Sequence, residues 1–258
     1  VGNTRVLSVV YSLDGKKLFS GNDNGIIHEW DAISGEMLSN YSKSVGPINV
    51  IILSPDGKTL AAGGDDAYIY LWDALTGRKL INIHSCQEWL DMALFLPQSP
   101  TGTLPDILPS INCLAFSPDS KEIAVGRRDG RIQIFNVATG KERSENNKCN
   151  LHIKSIVLSP NGMKLASMNS DGSIRLVSTI TGGDLLIVKR NDEYYDYASF
   201  TPDGNKIAFA GFKVSTRKSI ETSIHLISTL NGKEYWNISG LNDLITCIAF
   251  SRDGKALA

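Results

Sequence analysis

Long apolar runs are missing from this 258-residue chain. No stretch approaches the roughly 20 apolar residues of a membrane-spanning helix. The N-terminal residues show no basic segment leading into an apolar run, so no secretory leader is expected. Cysteine is scarce as well, and four residues do not supply a disulfide framework. A reducing, cytoplasmic setting is the expectation. Nor does either sign of charge dominate. Lys and Arg total 26 against 27 Asp and Glu, a net charge of −1, which gives no bulk attraction to nucleic acid or to an anionic membrane. Four histidines are present, none spaced to share a metal with a carboxylate or cysteine, and there is no Cys-x-x-Cys pair. No Gly-x-Ser-x-Gly elbow, phosphate loop or zinc-protease helix occurs. No catalytic residue, metal or cofactor is therefore assigned.

What the chain does have is a period. Six short apolar runs end in a four-residue turn centred on Asp14, Asp56, Asp119, Asn161, Asp203 and Asp253. The steps between these residues are 42, 63, 42, 42 and 50. Three steps are equal, and the others exceed them by insertions of 21 and 8 residues. A repeat of about 40–45 residues built of short strands is the mark of a β-propeller blade. Each repeat reads as four strands. The first is a near-continuous apolar run, such as Ile48–Leu53 or Ile111–Phe116, expected to be buried on both faces near the axis. A second strand, a polar loop, a third strand and a glycine turn into an outer fourth strand follow. The fold class is thus all-β, a propeller of four-stranded antiparallel blades. The blades are expected at about 5–42, 47–85, 110–150, 152–190 and 195–240, with the next beginning over 243–258. Because the chain starts at Val1 and stops partway through a repeat, it is expected to be a piece of a longer chain whose ring has six to eight blades. Alone, it is expected to associate through open strand edges.

Third strands close on Trp30-Asp31 and Trp72-Asp73, each followed by a Ser-Gly or Thr-Gly turn. With the phased turns, this resembles the tryptophan–aspartate (WD) repeat family of β-propellers across essentially the whole chain. The resemblance implies that Trp30, Asp31, Trp72 and Asp73 are structural. In that family an aspartate six residues before the closing position hydrogen-bonds within the blade, and Asp66, Asp129 and Asp171 match it. Asn24 and Glu221 depart from the pattern, and the family's upstream Gly-His pair is absent, so its usual buried polar network is incomplete here.

Insertions mark where recognition is expected, since sites graft onto loops held by a rigid scaffold. The longer falls over 85–110, between the outer strand of the second blade and the inner strand of the third. The shorter falls over 211–222, between the second and third strands of the fifth. In a propeller both kinds of connection leave by the same face. In the first, Trp89 and Phe95 sit in an apolar segment with the spacing of a short helix. That segment either folds down as a lid or presents the two rings as anchors for a partner. Arg127, Arg128, Lys213, Arg217 and Lys218 gather positive charge in loops of the same face, either as solvated charge or as a seat for an acidic or phosphorylated peptide.

Three function classes follow. The first is a non-catalytic scaffold that binds protein or peptide partners, or other domains of its parent chain, on the insertion-bearing face. The second is a small polar ligand or catalytic pocket at the central channel, for which Lys154, Asp196, Asn49, Asn112 and Thr246 share one column of the inner strands. The third, nucleic-acid binding, has only the Arg127–Arg131 cluster in its favour, against a near-neutral total.

Overall fold

The structure is a computed structural model that describes residues 4–41, 46–86, 109–146, 151–190, 193–214, 220–241 and 243–258. These residues form five antiparallel sheets, one per repeat, each a four-stranded meander. Blade one holds β1 (Val6–Tyr11), β2 (Lys17–Asn22), β3 (Ile27–Asp31) and β4 (Met37–Tyr41). Blade two holds β5 (Ile48–Leu53), β6 (Thr59–Gly64), β7 (Tyr68–Asp73) and β8 (Lys79–His84). Blade three holds β9 (Ile111–Phe116), β10 (Glu122–Arg127), β11 (Ile132–Asn136) and β12 (Glu142–Asn146). Blade four holds β13 (Ile153–Leu158), β14 (Lys164–Asn169), β15 (Ser173–Ser178) and β16 (Asp184–Lys189). Blade five holds β17 (Glu193–Phe200), β18 (Lys206–Val214), β19 (Ile220–Ser228) and β20 (Glu234–Leu241). The inner strands β1, β5, β9, β13 and β17 pack side by side in chain order. No helix occurs among the described residues.

Two turns per blade fix the meander. In the first, the Ser12 and Ser54 hydroxyls donate to Asp14 and Asp56 Oδ1 at 2.6 Å and accept the Lys17 and Thr59 amides at 2.9 and 2.8 Å. The fourth turn residue takes a left-handed backbone, with φ near +70° at Gly15, Gly57, Gly162, Gly204 and Gly254. That conformation costs glycine nothing sterically. Ser120 occupies the same conformation (φ 61°) in blade three, and its hydroxyl accepts the Asp56 amide of the neighbouring blade at 3.1 Å. In the second turn, Asp73 Oδ1 accepts the Leu75 amide at 3.2 Å, the Thr76 amide at 2.8 Å and the Thr76 hydroxyl at 2.7 Å. Asp31 and Asn136 cap their turns in the same way, and the Ser178 and Ser228 hydroxyls accept the matching amides. Any short acceptor fills this column, so the Trp-Asp pair survives in only two blades.

Burial departs from the expectation in one respect. The inner strands are not buried throughout; partly exposed residues interrupt the buried ones, as in β13, where Lys154 is exposed between buried Ile153 and Ile156. The second strands are the buried ones, with five consecutive buried residues in β6, β10 and β14. An inner strand borders the central channel along one edge. A second strand is flanked within its own sheet and covered by the adjacent blades. The core is accordingly a series of interblade clusters, such as Ile69, Leu71, Ile111, Leu114, Ile123 and Phe135 between blades two and three. Close approach depends on a missing Cβ: one built on Gly63 would lie 2.6 Å from Ile111 Cγ2, and one on Gly21 2.6 Å from Ile48 Cγ2.

Blade one also carries a buried carboxylate. Glu29 receives Lys17 Nζ at 2.7 Å, the Ser39 hydroxyl at 2.7 Å and the Tyr41 hydroxyl at 3.0 Å. Burial pushes its pKa up, but these three donors outweigh that and hold it below the ordinary value of 4.5. A folded-state pKa below the unfolded one contributes stability above pH 4.5 that is lost as pH falls through the folded value. Glu29→Gln should therefore be less stable than the parent at neutral pH and flatten the acid limb of the urea midpoint against pH. Parallel acid limbs for the two proteins would contradict this account.

Candidate interaction face

Connections from second to third strands, and from one blade to the next, leave by one face of the disc; both β-turn types leave by the other. The described ends of both inserted connections, Cys86 and Pro109, Val214 and Ile220, belong to the first kind. The shorter insertion is spent largely on strand rather than on loop. β18 and β19 are nine residues each, and their added pairs, Gly211↔Ser223 to Val214↔Ile220, lift a hairpin above the neighbouring blades. Trp89, Phe95, Arg217 and Lys218 lie outside the described residues. Lys213 is exposed at the hairpin's end, paired in register with Glu193 on one side and Glu221 on the other. Arg128 is exposed, with its amide held by Ser110 O at 2.9 Å.

Arg127 requires a correction. The sequence places it beside Arg128 as a cation of the loop face, but its side chain is 0% exposed. It ends β10, where the strand turns it inward. Its Nη2 donates to Asp129 Oδ2 at 2.5 Å, its Nε to Asp129 Oδ1 at 3.1 Å, and its Nη1 to Gln133 Oε1 at 3.1 Å and to the Ser85 carbonyl of blade two. A forked pair of this kind orients both partners, and the group is spent on holding blades two and three together.

The other loop aspartates also work within their blades. Asp66 is buried, accepting the Tyr68 amide at 3.1 Å and the Tyr70 hydroxyl at 2.7 Å, and Tyr70 stacks on Trp72 at 5.8 Å. Asp171 accepts the Ser173 hydroxyl at 2.6 Å and Lys189 Nζ at 2.8 Å. Burial raises its pKa, and these donors more than offset that, keeping it ionised. Trp30 donates its indole N–H to the Ser20 hydroxyl at 2.9 Å. Blade five uses a different device. His225 is buried and stacked on Phe209, with Nδ1 2.7 Å from Glu234 and Nε2 3.1 Å from the Ser223 hydroxyl. Without a repeated Gly-His pair, these groups are met largely within their own blades, although Arg127 reaches into blade two and the buried Ser167 hydroxyl has no hydrogen-bond partner among the described residues.

The polar column of the inner strands has a mechanical use. Asn49 Nδ2 donates to Asp65 at 2.7 Å and across to the Ile111 carbonyl of the next blade at 3.2 Å. Asn112 Nδ2 reaches the Ile153 carbonyl at 2.9 Å, and Lys154 Nζ reaches Asp196 at 2.9 Å. In each case blade n grips blade n + 1. Among the described residues no group of three His, Cys, Asp or Glu is placed to hold a metal. Cys113 is buried, which pushes its thiol well above the ordinary range. No helix is long and apolar enough to cross a membrane among these residues.

A cleft of about 220 Å³ opens at the foot of the lifted hairpin, lined by Tyr197, Phe212, Ile220, Leu244 and Ile245, with Asp196 at its edge. Its signal in the sequence is Tyr197, a large ring in a column otherwise filled by Ser8, Val50, Cys113, Ser155 and Cys247.

Comparison with known proteins agrees with this architecture. The profile described as "WD domain, G-beta repeat" matches residues 1–31, 35–73 and 99–136. The chain is 26% identical over 147 residues to the Retinoblastoma-binding protein homolog 5 of Caenorhabditis elegans, covering 57% of this chain. It spans only 31% of that relative's length. The computationally designed Ika8 protein superposes with a TM-score of 0.71 at 16% identity, over 96% of this chain and 69% of that one, a likeness of fold alone. The first three blades thus match WD repeats, and blades four and five, beyond the matched residues, repeat the same turn, cap and meander.

Proposed function

We propose that this chain is a non-catalytic interaction module whose partner is seated on the face that carries both insertions. The WD-repeat match supports a protein-interaction scaffold in general. The observation that carries the finer reading is the cleft beneath the β18–β19 hairpin. Its walls are mainly apolar, and Leu244, Ile220 and Tyr197 remain partly exposed around it. An aliphatic or aromatic side chain of a partner fits such a pocket, and buried anchors of that kind dominate protein recognition. Arg128, free among the described residues of the contacts that consume Arg127, is an exposed arginine to which an acidic or phosphorylated flank of the same partner would pair.

A library of acidic peptides, each with one Leu, Phe or Trp anchor, tests this by fluorescence anisotropy. Leu244→Asp should weaken the best binder about tenfold or more, a loss of about 1.4 kcal/mol or greater. Arg128→Glu should lower affinity and reduce its dependence on salt. Binding indifferent to both changes would sink the reading.

A further inference from the structure

The opposite face carries a feature that the proposed site does not use. In the turn between third and fourth strands, the second residue after the capping acceptor is Ile33, Leu75, Ala138, Ile180 or Leu230. Four of these five are large aliphatics, exposed by 90, 81, 69 and 85% for Ile33, Leu75, Ile180 and Leu230. The turn is held by its Asp, Asn or Ser cap and by its glycine, so this residue gives the fold nothing that a polar one would not. Single exposed aliphatics need no explanation. The same position, on the same face, in four of five blades is a pattern. Met163, more than half exposed, adds to it from the other turn of blade four.

That face also holds a complementary hollow. Where blades two to five all carry proline at the second turn position, blade one carries Leu13, 68% exposed and close against Gly57 of blade two. Beside it opens a cleft of about 210 Å³, lined by Leu13, Phe19, Leu53, Gly57, Ala74 and Leu75. Charge on this face alternates instead of accumulating. An acid and a base stand two residues apart in Asp14/Lys16, Asp56/Lys58, Asp119/Lys121 and Asp253/Lys255, all exposed. Their balance offers little attraction to an anionic lipid surface. It suits a partner that carries the same alternation.

We propose that two copies of this chain pack face to face through these turns about a two-fold axis. The Ile180 and Leu230 knobs of each copy enter the Leu13–Leu53–Ala74 cleft of the other. A two-fold interface requires a surface complementary to itself, with knob, hole and both signs of charge on one patch. This face meets that requirement, and it leaves the proposed partner face free on the outside of both discs.

Sedimentation equilibrium of the whole chain over a range of concentrations tests the inference. A monomer–dimer equilibrium is expected. Ile180→Asp with Leu230→Asp should weaken it about a hundredfold, and Leu13→Asp, which fills the cleft with charge, at least tenfold. All three positions are exposed turn residues, so circular dichroism should be unchanged, as should the urea midpoint taken at a concentration where the parent is monomeric. Val9→Asp with Tyr11→Asp, on the outward face of β1, should leave the dimer intact. A chain that stays monomeric, or association that survives the knob changes and yields to the β1 changes, overturns the proposal. So does a monomer whose knobs bind vesicles of phosphatidylserine and phosphatidylcholine.

Discussion

Arg127→Ala is expected to lower the stability of the fold by about 3 kcal/mol. Neutral substitution at the adjacent Arg128 should change it by less than about 0.5 kcal/mol. The difference has a physical cause. Arg127 is wholly buried, and its removal strands the Gln133 amide oxygen and the Ser85 carbonyl and costs Asp129 both of its forked bonds, leaving it the Arg131 amide at 3.3 Å and Arg131 Nε at 3.7 Å. Breaking a buried pair leaves the partner's desolvation uncompensated, although the Asp129 side chain is 31% exposed and recovers part of it from water. Arg127→Lys should rescue little, because an ammonium cannot serve Asp129 through two nitrogens while reaching two further acceptors in different directions. Urea unfolding of the three variants gives the measurement, and equal midpoints for Arg127→Ala and the parent would refute this account. The result also governs binding experiments. Any loss of partner binding on changing Arg127 reports a loosened junction between blades two and three, so tests of surface charge belong at Arg128.

The second large effect is expected at that same junction. Ile111 is completely buried, the first residue of β9, and it packs into the space above Gly63. Ile111→Ala should cost about 3 kcal/mol through lost burial and the cavity it leaves. Gly63→Ala should cost about 1–3 kcal/mol, since the new methyl would stand 2.6 Å from Ile111 Cγ2 and neither strand is free to move away. The two changes fit each other. In Gly63→Ala with Ile111→Ala the added methyl enters the space vacated by the isoleucine, so the double variant should lose less than the sum of the singles. A double-mutant cycle with coupling of about 1 kcal/mol or more is the expected outcome. Strict additivity would mean that these residues do not share the space assigned to them.

Several features of the fold were legible in the sequence because they are local. A serine or threonine hydroxyl, an acidic or amide side chain and a glycine within a few residues build their own turn, so the six turns announce the period wherever they fall. The closing acceptor caps the following turn whether it is Asp31, Asn136 or Ser178, and its chemistry can be read from residue type. The insertions could be located by subtraction. That the shorter one extends two strands could not, because Gly211–Val214 and Ile220–Thr222 become strand by pairing with each other.

What only the tertiary structure decided was direction and neighbour. Arg127 and Arg128 are indistinguishable as adjacent loop arginines, yet alternation along β10 sends one between blades and the other into solvent. Asn49, Asn112, Lys154 and Asp196 form a polar column that suits a ligand channel equally well on paper. Their partners are backbone carbonyls and side chains of the neighbouring repeat, up to 62 residues away along the chain. The second strands proved the most buried because the adjacent blades cover both their faces, a circumstance that no single repeat contains. The sequence by itself determined the repeat, its turns and its caps, since those interactions close within a few residues. The assembled disc determined which polar groups are consumed and which aliphatics are left bare, since that depends on what each blade leans against.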